Sequence, residues 1–129
     1  MTSAAILSAG TLTGDSVVNS DGDKLGDLKD IMIDFDRGTV AYGVLSRGGV
    51  AGIGEKLFAV PWALFQVNGG EKDLILDLDE ERLENSPGFD PDNWPTFADE
   101  AWGRELHEHY GVDPYWGSSH GAGAPPSGL

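Results

Sequence analysis

The stretch from Gly22 to Val44, GDKLGDLKDIMIDFDRGTVAYGV, leaves the chain around it few choices. Two apolar runs flank Asp36-Arg37-Gly38, so the segment predicts an antiparallel hairpin entered through a Lys24-Leu25-Gly26 turn. In the first arm Ile31, Ile33 and Phe35 alternate with Met32 and Asp34, which places the three on one face and leaves Leu28 out of phase. A bulge near Lys29-Asp30 restores the phase. In the second arm Val40, Tyr42 and Val44 alternate with Ala41 and Gly43, whose small size leaves room for a close neighbour. That arm is expected to be covered on both sides. Gly26 is expected to hold a positive φ or a close backbone approach.

Thr2 to Leu12 reads as a lead-in with a short strand near Ala5 to Leu7, and Asp15 to Asn19 as a strand ending in the turn cluster Asn19-Ser20-Asp21-Gly22-Asp23. Leu57 to Val60 form a strand that stops at Pro61, which has no amide donor. Trp62 to Phe65 follow as one helical turn able to plug a barrel end. Asn68-Gly69-Gly70-Glu71 is a turn before a strand from Asp73 to Leu78, and Glu80 to Glu84 make a short helix capped by Asp79 and ended before Pro87. The sum is a mainly β chain: a small barrel of five to six strands with short helical turns.

Beyond Pro87 the texture changes. Pro87, Pro91 and Pro95 punctuate an extended stretch, after which Thr96, with Asp99 three residues on, is placed to cap a helix. Ala98, Trp102, Leu106 and Tyr110 recur along one face of that helix, and Gly111 is placed to stop it. The expected organisation is a lead-in over 1–12, a barrel domain over 13–90, an aromatic extension with one helix over 91–116 and a flexible tail over 117–129. Trp94, Phe97, Trp102, Leu106, Tyr110, Tyr115 and Trp116 are a surplus of apolar side chains for so short an appendage, and mark either an interface or the underside of a helix folded onto its own barrel.

The formal charge is -14, from 8 Lys and Arg against 22 Asp and Glu, and Arg104 is the one base after Leu83. Such a surface repels a phosphate backbone, so direct nucleic-acid binding is disfavoured. With no cysteine, disulfides, thiolate metal sites and cysteine nucleophiles are excluded. The N-terminal stretch has neither a basic start nor a long apolar run, which predicts a cytoplasmic protein without a membrane span.

Motifs for chemistry are weak. Gly48 to Gly54 is glycine-rich but lacks the spacing of a phosphate loop, so a hairpin tip is expected. The turn at Asn19 to Asp23 puts Val17 and Leu28 where a calcium loop needs carboxylates. Asp34 and Asp36 share a strand face, and a polar edge beside a turn accounts for them. His107 and His109 are about 200° apart on a helix and cannot ligate from one face, which predicts surface roles. No acid, base and nucleophile set emerges, so no catalytic residue, cofactor or metal ligand is assigned.

Leu25-Gly26, Ile33-Asp34 and Val60-Pro61-Trp62, followed by Leu76-Asp77-Leu78 and Pro87-Gly88-Phe89, resemble in order and spacing the steps of a PRC-barrel domain over about residues 13 to 90. The resemblance implies a small β-barrel of the kind found in the cytoplasmic part of the photosynthetic reaction-centre H subunit and in the C-terminal domain of the ribosome maturation factor RimM. It makes Leu25, Gly26, Ile33, Asp34, Pro61 and Trp62 barrel-structural, and both contexts are protein-binding. The expectation is a non-enzymatic interaction or adaptor module forming a homodimer and contacting a further protein. The alternatives are an accessory factor in RNA processing or ribosome assembly that binds a basic protein, and a small-ligand or metal-binding barrel.

Overall fold

The structure, a computed structural model, describes residues 6–48, 54–67 and 74–117. Its elements are α1 (Ala9–Leu12), β1 (Ser16–Val18), β2 (Lys24–Asp34), β3 (Thr39–Arg47), β4 (Lys56–Pro61), a 3-10 turn (Trp62–Leu64), β5 (Phe65–Val67), β6 (Leu74–Leu76), α2 (Glu80–Glu84) and α3 (Glu100–Tyr110). The six strands form one sheet in the order β4-β3-β2-β1-β6-β5. All neighbours are antiparallel except β1 and β6. The strand number is as expected, but β4 and β5 are not hydrogen-bonded to one another, so the sheet curls without closing. Trp62, half-buried and stacked on Phe65 with ring centroids 4.9 Å apart, fills the corner where the chain passes from one edge to the other.

The lead-in differs from expectation. Ile6 and Leu7 are not in a strand, and Ser8 instead caps the single turn of α1 by accepting from the Gly10 amide at 3.1 Å. The turn after β1 is held by a side chain: Asn19, only 6% exposed, accepts through Oδ1 from the amides of Asp21 (3.0 Å) and Asp23 (2.9 Å). An Asn can do this because its side chain mimics the backbone carbonyl of a turn.

The central hairpin keeps one expectation and revises another. Leu28 faces Leu45 and Asp30 faces Val44, so Lys29 is the extra residue of a bulge. A second irregularity, unforeseen, follows at once: Met32 faces Tyr42 but Ile33 faces Val40. The extra residue there is Ala41 on β3, and of the three residues expected on one face only Ile31 lies against the core. Ile31 and Met32 pack against the core, whereas Ile33 is 59% and Phe35 93% exposed. The opposite arm is covered on both sides, with Ala41 to Leu45 all buried. A Cβ at Gly43 would lie 2.8 Å from the Phe65 ring, so glycine is what admits β5 across the sheet.

Gly26 meets its neighbour just as closely. A Cβ there would stand 2.6 Å from the main-chain oxygen of Ser46 on β3, an atom that the sheet cannot move aside. The Gly26→Val variant is expected to lose about 1–3 kcal/mol through overpacking, seen as a lower urea midpoint with an unchanged slope. An unaltered midpoint would show that β2 and β3 can separate there without loss.

Beyond β6 the chain returns over the barrel. Asp79 caps α2 by accepting from the Arg82 amide at 3.1 Å, as expected. Arg47 on β3 reaches Glu80 (2.6 Å) and Glu84 (3.4 Å), tying that helix to the sheet. Phe89 exchanges two backbone hydrogen bonds with Leu57 (2.8 and 2.9 Å), which covers part of the free edge of β4. The cap of α3 is Asp99, which accepts from the Ala101 amide at 3.0 Å, and not Thr96. Ala98 consequently precedes the helix and is exposed, while Gly111 ends it at φ 74°. Leu106 and Tyr110 join Val17, Leu25, Leu28, Tyr42 and Leu45 in one core. Most of the expected glycine tip (49–53), the turn after Val67 and the tail from 118 lie outside the described residues.

Candidate functional site

The extension and the central hairpin meet at Tyr42, which is 1% exposed. Its ring lies against Trp102 (centroids 5.4 Å apart, edge-on), His107 (5.6 Å), Phe97 (5.7 Å) and Tyr115 (5.9 Å, edge-on). Edge-on and tilted contacts of this kind set the positive rim of one ring on the negative face of the next. Gly103 makes the approach possible: a Cβ there would fall 2.8 Å from both the Tyr42 hydroxyl and the Trp116 ring. Burial, with the Asp34 charge nearby, pushes the Tyr42 hydroxyl up to about 12. It has no hydrogen-bond partner among the described residues.

His107, expected at the surface, is 1% exposed. It stands one turn beyond Gly103 on the face that α3 turns to the barrel, and its Nδ1 donates to the Gly103 carbonyl at 2.7 Å. Burial holds its imidazole below the ordinary histidine range, against the opposing effect of that hydrogen bond. The neutral ring therefore carries its proton on Nδ1, and its Nε2 lone pair has no hydrogen-bond partner among the described residues.

Outside this cluster, Asp34 at the end of β2 ties three segments together. Its carboxylate accepts from the Tyr115 hydroxyl (2.6 Å), the Arg37 amide (3.0 Å) and the Arg37 guanidinium (3.1 Å). Burial tends to raise its pKa, but these donors outweigh it and hold the carboxyl below its usual range. Burial, and then the bond to Asp34, push the Tyr115 hydroxyl upward in turn. The C-terminal segment is thus fastened to the hairpin turn. Between them lies a cleft of about 320 Å³, bordered by Met32 to Arg37 on one side and by Phe97, Glu100, Tyr115 and Trp116 on the other.

Of the seven extension residues singled out from sequence, Leu106 and Tyr110 are buried within the chain itself. Phe97, Trp102 and Tyr115 are partly buried against the same core. Trp116 sits edge-on to His107 (5.4 Å), and Trp94, at 36% exposure, leans on Phe89 (5.2 Å). Among the barrel-structural residues Leu25, Gly26 and Pro61 are buried, Trp62 is half-buried, Asp34 is in the cleft and Ile33 is at the surface. Phe35, Tyr42 and His107 were not singled out. The spacing of His107 from Gly103 is the one sequence signal that could have found it.

No group of three or more His, Asp and Glu among the described residues is arranged to hold a metal ion. None of their helices is long and apolar enough to cross a membrane. A sequence model of the PRC-barrel domain matches residues 6–83, which covers α1, all six strands and most of α2. The chain belongs to the PRC-barrel family. A search of curated proteins found no match to it.

Proposed function

We propose that this chain is a non-enzymatic protein-interaction module, with the barrel as a rigid frame and the tip of the β2–β3 hairpin as its contact surface. One observation carries this reading. Phe35 is 93% exposed on a turn that Asp34, Arg37 and Tyr115 hold in place, and Ile33 is 59% exposed at the adjoining end of β2. A large aromatic presented on a pre-ordered turn loses little conformational freedom on binding and is the type of side chain that anchors interfaces. The sequence alone pointed to the extension instead, but much of its apolar surface is already used inside the chain.

The partner is expected to be a different, positively charged protein. A second copy would bring two charges of -14 together, and self-repulsion of that kind opposes association. The test is to place a photo-crosslinking phenylalanine analogue at position 35 of the full chain in its native cell, and for comparison at Gln66, which is exposed on β5. The expected result is one recurrent adduct from position 35 that Gln66 does not give. An adduct to the chain itself would make the module a homodimer, and the same adducts from both positions, or none, would remove the contact surface from the hairpin.

A further inference from the structure

We infer that the cleft beside the hairpin turn receives a lysine or arginine side chain from a basic segment of the partner protein, an inference that rests on the interaction reading above. Its border carries three carboxylates, Asp34, Asp36 and Glu100, against one guanidinium, that of Arg37. Arg37 is committed to Asp34 at 3.1 Å, and Tyr115 also binds that carboxylate. Asp36 has no ion pair among the described residues, and Glu100 has only a long contact of 3.7 Å to Arg104 between two well-exposed side chains. The unmatched charge of the cleft is therefore negative, at one place on a chain that is negative overall.

The remaining border is aromatic. Phe97, Tyr115 and Trp116 face the cleft and are only partly buried, and Phe35 stands beside them. A cation over the face of such rings gains from their quadrupole, most strongly at Trp, while the methylene stem of Lys or Arg lies along apolar surface. An anion or a phosphate would meet Asp36 and Glu100, and a purely apolar ligand would leave both carboxylates partly desolvated and unpaired. The combination selects a long cationic side chain.

The test uses the full chain and a short capped peptide of lysine, arginine and alanine, with a counterpart in which lysine is acetylated and arginine is replaced by citrulline. Amide resonances are followed by NMR at near-physiological salt. The expected result is saturable shifts at residues 34–37 and 97–116 with the cationic peptide alone. Replacing the exposed pair Asp36→Asn and Glu100→Gln should weaken binding by about tenfold or more. Replacing the exposed pair Glu81→Gln and Glu105→Gln, which removes the same net charge away from the cleft, should not. Equal weakening by the two pairs would reduce the effect to overall charge, and equal binding of the neutral peptide, or no shifts in these segments, would end the proposal. A specific crosslink from position 35 obtained together with a failed titration would leave the interaction surface standing and remove only the cationic side chain.

Discussion

Removing residues 92 to 129 is expected to abolish cooperative folding of the barrel, not to release it as a stable monomer. The excised segment carries Leu106 and Tyr110, 2% and 4% exposed, and also Phe97, Trp102, Val112 and Tyr115, all packed on the same core as the strands. Each large apolar side chain that is fully buried contributes about 1.5–3 kcal/mol, and a domain's net stability is only about 5–15 kcal/mol. Leu106 and Tyr110 alone thus account for a large share of it. The cut also leaves the faces of Tyr42 and β4 open to water. Circular dichroism on heating, with binding of an apolar dye, measures this directly: the full chain should melt in one sharp transition, and the truncated chain should melt broadly while binding dye. A sharp melt after the cut would mean that strands β1 to β6 and α2 cover their own core.

The second large effect is at Tyr42, where two substitutions should part company. Tyr42→Ala removes the ring on which Phe97, Trp102, His107 and Tyr115 all rest, and is expected to cost about 3–5 kcal/mol. Tyr42→Phe keeps that ring and removes only a buried hydroxyl that has no partner among the described residues. Leaving a buried hydroxyl unpaired costs about 1–3 kcal/mol, so this variant should be as stable as the parent or more so. Urea unfolding of the two variants beside the parent checks both. Equal destabilisation by the two would show that the hydroxyl, and not the ring, is what the extension needs.

Much of this molecule is determined by local chemistry, and that part was legible in the sequence. Alternation in Val40 to Val44 beside the small Ala41 and Gly43 marked β3 as covered on both faces, because a strand's side chains can point only two ways. Leu28 out of phase marked the first bulge, Asp79 the cap of α2 and Gly111 the end of α3. Each of these depends on residues within a few positions of one another. The Leu-Gly, Ile-Asp and Val-Pro-Trp steps, in their order, were enough to indicate the PRC-barrel family.

What the tertiary structure alone decided is which of two available partners each exposed or apolar group takes. The stripe Trp102, Leu106 and Tyr110 is the same stripe whether a helix lies on its own barrel or on another chain, and only the fold puts it over Tyr42. His107 has the composition of a surface residue until Gly103 lets α3 approach closely enough to bury it. The second bulge, between Met32 and Ile33, arises from the pairing of two strands and has no mark in either one. Ile33 and Phe35 stand out to solvent beside a cleft closed by Asp34 and Tyr115, residues 81 positions apart, and no local pattern encodes a contact over that distance.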